Sequence, residues 1–223
     1  KLPFVALNEH LCMQVARRVM PTAQTQVSDD GQALVVHRFD VDENGQPHWG
    51  MEDFCSLLGL RPAAKYNTTW ERIAKAVRDH VPGPQRLTTF RQLSTTLLLT
   101  YALRNADCHA KNLALLYTNR ADVHLSPTFD MLTTSVYDGF VHNPPGIEFM
   151  GKKTWRPGKQ LQKFIDEMLV ILDGIHLRVK PWKHVQSCLG LDACNARNGC
   201  DELVSQVALP TKPSTRLDQI IDG

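Results

Sequence analysis

The chain has 223 residues, a hydrophobic fraction of 43% and a formal net charge of +2. That size and apolar content give one large domain or two small ones with a real buried core, which excludes a chain without a core. The near-neutral charge argues neither for nor against a nucleic-acid partner.

No signal-peptide pattern is visible at the start. Residues 1–7 read as short and extended, because Pro3 disfavours helix, and Asn8 is placed to cap a helix over 9–20. Leu11, Cys12, Val15, Ala16 and Val19 repeat there at helical spacing, and Pro21 stops the run. A hairpin follows, with strands at 23–27 and 33–39 around Asp29-Asp30-Gly31. Residues 40–49 form a polar loop. Met51, Phe54, Cys55 and Leu58 predict a short helix over 51–60, followed by a loop over 61–67. Thr68 or Thr69 caps a helix that reaches Val81, with Trp70, Ile73, Ala74 and Val77 inward. Pro82-Gly83-Pro84 is a firm break.

The helix over 85–104 is apolar on most sides, which places it near the middle of the fold. Arg91 and Arg104 bracket too few residues for a membrane span, so Leu97-Leu98-Leu99 reads as core. Strands at 113–117 and 123–125 make a second hairpin around residues 118–121, and Pro127 ends it. Residues 131–151 are irregular around Asn143-Pro144-Pro145-Gly146, and helices are predicted at 159–172, 183–189, 201–209 and 214–221. The fold class is α+β and predominantly helical, with a small strand-containing segment leading into a mainly helical body. Cys12, Cys55, Cys108, Cys188, Cys194 and Cys200 mostly lie in apolar helical patterns and read as reduced core thiols of a cytoplasmic protein. The spacing of Cys188, Cys194 and Cys200 beside His184 is not a standard zinc pattern.

Chemistry concentrates in Asn105-Ala106-Asp107-Cys108-His109-Ala110-Lys111-Asn112, with Phe129-Asp130 returned by the second hairpin. An Asp, an Asn five residues on and a second Asp beyond a hairpin form the pattern of a phosphoryl-transfer loop. Asp107 would accept or orient the proton of an attacking hydroxyl. Asn112 and Asp130 would hold Mg²⁺, which prefers few protein carboxylates plus phosphate oxygens. Lys111 and His109 could neutralise charge on the phosphoryl group, or His109 could hold the loop by a hydrogen bond. Turn formation and capping are the plain alternatives for Asn105 and Asp107. A metal-dependent hydrolase would set the same carboxylates on a water, but no H-x-H or paired-Asp motif supplies a second metal.

The sequence resembles the HipA-like serine/threonine kinases of bacterial toxin–antitoxin modules. The resemblance is carried in order by Leu7-Asn8-Glu9-His10 with Cys12-Met13, by Val36-His37-Arg38-Phe39-Asp40, and by Phe54-Cys55 through Gly59 with Lys65-Tyr66. It continues in Ala106 to Asn112, in Leu125-Ser126-Pro127-Thr128-Phe129-Asp130 and in Gly151-Lys152-Lys153. It implies a HipA-like protein-kinase fold, with residues 1–49 as the end of the N-terminal lobe and hinge hairpin, and 50–223 as the helical catalytic lobe. It further implies Asp107 as the base, Asn112 and Asp130 as Mg²⁺ ligands, and Val36, His37, Arg38 and Phe39 against the adenine of ATP. The implied reaction moves the ATP γ-phosphate to a serine of a target protein of the aminoacyl-tRNA synthetase class. The implied partner is a helix-turn-helix antitoxin, with DNA reached only through it and no membrane contact.

Departures from the family pattern are His37 for a common Glu and Cys108 for a common Gly. The family's phosphate-covering loop, its autophosphorylated serine and its strand lysine are expected to be missing from this sequence, with Lys1 as a candidate remnant of that lysine. The alternative reading is a docking module that binds an antitoxin or partner without catalysis. Lys152, Lys153, Arg156, Lys159 and Lys163 form a basic run that is either a solvated face or a surface for phosphate, acidic protein or DNA.

Overall fold

The computed structural model describes residues 2–154. Lys1, the basic positions Arg156, Lys159 and Lys163, Cys188, Cys194 and Cys200, and the four helices predicted between 159 and 221 lie outside the described residues. Within them the fold is a mixture of four helices and two small antiparallel sheets.

Helix α1 spans Val5–Arg17 and starts from Phe4, whose backbone is left-handed at φ 53°. The expectation that residues 1–7 are extended and that Asn8 caps the helix is therefore corrected. Pro3 lies ahead of the helix, where its missing N–H costs nothing. Asn8 is buried inside the helix and ties it to a distant segment. Its amide donates to the Thr133 carbonyl at 2.7 Å and to Tyr137 Oη at 2.9 Å, while Asn8 Oδ1 accepts the Thr133 N–H at 3.1 Å. A buried carboxamide with three such partners is satisfied, as a buried polar group must be.

Strands β1 (Thr25–Val27) and β2 (Leu34–Val36) form the predicted first hairpin, with Thr25 opposite Val36. Gly31 takes φ 68° in its turn. The helix predicted over 51–60 is corrected in its first turn. Gly50–Asp53 is a strand, β3, and α2 is the short run Phe54–Leu57. Asp53 ends the strand and caps α2 by accepting the Ser56 N–H at 2.8 Å.

Helix α3 spans Trp70–His80 and is capped by Thr69, which accepts the Arg72 N–H at 3.2 Å. Helix α4 spans Gly83–Ala102. Strands β4 (Ala114–Asn119) and β5 (Asp122–Leu125) complete a three-stranded sheet in the order β3-β4-β5. Two buried clusters result. In one, Phe54, Trp70, Ile73, Phe90, Leu97, Leu115 and Phe149 join α3, α4 and the sheet. In the other, Cys12, Met13, Ala16, Leu99, Leu103 and Met131 join α1 to the far end of α4. Helix α4 belongs to both, which accounts for its apolar residues on most sides. No helix among the described residues is long and apolar enough to cross a membrane.

Candidate active site

The central loop leaves α4 through a tight C-terminal turn. Arg104 adopts φ 52°; its N–H reaches the Tyr101 carbonyl at 3.1 Å, and the Asn105 N–H reaches that of Thr100 at 2.9 Å. This pair of bonds closes a helix C-terminus, with Arg in the position that glycine favours. The buried Asn105 Oδ1 then accepts the Asp107 N–H at 3.0 Å. Thr134 Oγ1 accepts the Ala106 N–H at 3.1 Å and donates to the Arg104 carbonyl at 2.8 Å. The backbone entering Asp107 is thus fixed from both sides.

Residues Ala110–Asn112 form one 3₁₀ turn. Asn112 Oδ1 accepts the His109 N–H at 2.8 Å, which closes the loop on itself. The amide nitrogen of Asn112 donates to Asp130 Oδ2. Asp130 sits at φ 57°, in the left-handed region that Asp tolerates better than most residues. Thr128 is pinned just before it: Ala23 N–H donates to the Thr128 carbonyl at 2.8 Å, and Thr128 N–H to that of Pro21 at 2.9 Å. Asp107 is close enough for its charge to act on Asp130. Burial first, and that charge second, raise the Asp130 carboxyl above the usual carboxylate range.

The structure therefore brings Asp107, His109, Asn112 and Asp130 together. His109 is buried, and burial followed by the charge of Lys65 lowers its pKa. It is a neutral imidazole at pH 7, so it can donate or accept a proton at one nitrogen but brings no charge. Lys111 is exposed on the 3₁₀ turn. Val36, His37 and Arg38 are exposed at and just beyond the end of β2, with Arg38 held by two bonds to Asp40 at 2.9 and 2.6 Å. Phe39 lies half-buried on the ring of Phe129, 5.6 Å between centroids, and so touches the residue that precedes Asp130.

Three further residues meet at this site. Tyr66 donates its hydroxyl to Asp107 Oδ1 and stands edge-on to the His109 ring, 5.0 Å between centroids. Burial, then the Asp107 bond, raises its pKa, so the phenol is protonated. The Lys65 carbonyl accepts the Ala110 N–H at 3.0 Å. Glu9 lies on α1, where burial and then the charge of Asp130 push its carboxyl up to about 7. Lys65-Tyr66 and Glu9 stood in motif segments of the sequence, but spacing gave them no role because their partners are distant in the chain.

Solved structures share this architecture. A HipA toxin from Shewanella oneidensis MR-1, solved with HipB and its operator DNA, superposes over the whole of this chain and 54% of its own, with a TM-score of 0.66 at 16% identity. The proinflammatory kinase CtkA of Helicobacter pylori matches 97% of this chain and 81% of its own, with a TM-score of 0.50 at 13% identity. The fold is accordingly of the kinase-like class. The family described as HipA-like C-terminal domain matches residues 1–208, and the chain belongs to that family.

Two curated relatives come from Sinorhizobium fredii strain NGR234. "Putative kinase Y4dM" is 33% identical over 107 residues, covering 48% of this chain and 25% of the relative. "Putative kinase Y4mE" is 27% identical over 147 residues, covering 61% of this chain and 34% of the relative. The chain thus spans a minor part of the length of these relatives.

Proposed function

We propose that the chain is the catalytic part of an ATP- and Mg²⁺-dependent serine/threonine protein kinase of a toxin–antitoxin system. The observation that carries this reading is the convergence of Asp107, Asn112 and Asp130, with the Asn112 amide laid against the Asp130 carboxylate. A divalent ion fits this donor set. The Asp130 carboxyl is raised by burial and by Asp107, so a cation relieves the crowding of negative charge. Asn112 Oδ1 accepts one N–H and keeps a second lone pair. Bound Mg·ATP supplies the phosphoryl group and the charge that screens it.

The residues then divide the work. Asp107 takes the proton of the attacking serine or threonine hydroxyl at its carboxylate. Asn112 and Asp130 hold the metal, each kept in place by the other. Neutral His109 donates a hydrogen bond to the transferred group, and exposed Lys111 brings positive charge. Val36 to Phe39 run beside the adenine; exposed Val35 and Val36, together with Phe39 packed on Phe129, support that placement. The separate first hairpin supports residues 1–49 as the hinge side and 50–223 as the catalytic side.

The proposal extends to an aminoacyl-tRNA synthetase as target, a helix-turn-helix antitoxin as partner and a cytoplasmic location. The Shewanella protein, solved with HipB and operator DNA, supports the antitoxin as partner. Calorimetry of Mg·ATP binding to the parent and to Asp130→Ala tests the site. The expected result is binding to the parent that weakens about tenfold or more in the variant. Equal binding to both would move the metal away from Asp130. A partner complex without any nucleotide binding would favour the docking module.

A further inference from the structure

The kinase reading uses Asp107 as the base but leaves unexplained why one of its oxygens is already occupied. Asp107 is half-buried, and its Oδ1 accepts the Tyr66 hydroxyl. Tyr66 is not a surface side chain that happened to fold over. It follows the turn Pro62–Ala64, whose approach is tied down by the Cys55 thiol at the Leu60 and Arg61 carbonyls, 3.6 Å each. Just beyond it, the Asn67 N–H reaches the Ala64 carbonyl at 2.8 Å. Its neighbour Lys65 receives the Ala110 N–H, so the segment is strapped to the same 3₁₀ turn that carries Asn112. The Tyr66 ring is braced edge-on by His109 and covered by the Lys65 ammonium at 5.0 Å from its centroid. Its hydrogen bond and its ring contacts are with the catalytic loop and with the strap.

We infer that Tyr66 is a positioning residue: its hydroxyl clamps Asp107 by Oδ1 and leaves Oδ2 as the oxygen presented to the substrate hydroxyl. This inference rests on the kinase reading. A carboxylate on a two-bond side chain rotates freely unless something holds it. Asp107 has its backbone fixed by Asn105, but that bond does not set the carboxylate plane. The phenol does, because it donates a hydrogen bond to one of the two carboxylate oxygens and so fixes which oxygen is left open. A proton transferred from a serine or threonine hydroxyl goes to Oδ2, while Tyr66 keeps its own proton throughout. The clamp acts on the chemical step, not on nucleotide affinity, because its hydrogen bond is made to Asp107 and not to Asn112 or Asp130, although the charge of Asp130 also acts on the phenol.

The test uses γ-phosphate transfer from Mg·ATP to a degenerate serine/threonine peptide library, in the full natural chain that carries this sequence. Four proteins are compared: parent, Asp107→Asn, Tyr66→Phe, and Tyr66 replaced by 3-fluorotyrosine. Phenylalanine keeps the ring against His109, so the fold survives, and a melting temperature equal to the parent's verifies it. The expected result for Tyr66→Phe is a fall in kcat of about 10- to 100-fold with the KM for Mg·ATP unchanged. The fluorinated tyrosine, which restores a hydroxyl, should recover most of the loss. Unchanged kcat in Tyr66→Phe overturns the clamp, and so does a KM that rises in step with the loss. Phosphate found on Tyr66 itself also overturns it, since the phenol would then be an acceptor. If the parent transfers no more phosphate than Asp107→Asn, the kinase reading itself falls and takes the clamp with it. That outcome is distinct from the other three, in which Asp107→Asn is inactive and the parent is not.

Discussion

Glu9 and Asn8 sit side by side on α1 and meet opposite fates. Glu9 is an acid held near another acid in a partly dry site, so its carboxyl is lifted from 4.5 to about 7, first by burial and then by Asp130. Its folded pKa lies above its unfolded one, so folding favours the protonated form. That contribution is whole below about pH 4.5 and is lost as pH rises through about 7. Glu9→Gln keeps the protonated shape at every pH. In the metal-free chain its melting temperature should equal the parent's near pH 4 and exceed it by a few degrees near pH 8. A variant that follows the parent at both pH values would show that Glu9 is freely solvated. Asn8 carries the opposite lesson for reading sequence. An Asn just behind a Pro-led start looks like a cap. Its true partners, Thr133 and Tyr137, lie 125 and 129 residues away, and no local pattern announces a clamp of that range.

Among elements, the segment around Asn143-Pro144-Pro145-Gly146 read only as irregular, yet it packs on the catalytic loop. A Cβ built on Gly146 would lie 2.2 Å from the Cys108 carbonyl oxygen and 2.9 Å from that of Ala106. Both obstacles are backbone, so neither can swing away. Gly146 is there for close approach, on the residues flanking Asp107. Gly146→Ala should cost about 1–3 kcal/mol in stability, as overpacking does. It should also depress Asp107-dependent phosphate transfer by more than the unfolded fraction explains. Thermal melts and transfer assays on the same preparation check both parts, and an alanine tolerated in both would mean the loop has slack. Elsewhere the local chemistry was legible. Thr69 as a cap, the turn at Gly31 and the second hairpin are each set by neighbours in sequence. The strand β3 was missed because Met51, Phe54, Cys55 and Leu58 fit a helical period. Met51 is in fact exposed and pairs across to Leu116. The signal that could have divided the run was Asp53, a capping residue in its middle.

Over the whole molecule, α4 decides whether the described residues behave as one body. Its apolar girth was readable from sequence, and so was its central place. What the sequence did not reveal is that the helix serves two cores in succession. Leu97, 1% exposed, belongs to the cluster with Trp70 and Phe54, whereas Leu99, 3% exposed, belongs to the cluster with Met13 and Met131. The catalytic loop begins where α4 ends, Asp107 neighbours the first cluster through Cys108, and Asp130 neighbours the second through Met131. Holding the two acids in register thus depends on both cores staying formed together. Leu97→Ala and Leu99→Ala should each destabilise by about 2–5 kcal/mol, the range for emptying a buried leucine site. Because α4 is shared, each loss should be felt in both clusters. Native-state hydrogen exchange should therefore show protection falling together at α1 and α3 in either variant. If Leu99→Ala released α1 while α3 kept its protection, the second core would be a separately opening unit. Asp130 would then be carried on a part of the molecule that can swing away from Asp107, and nucleotide binding would have to close that gap before transfer.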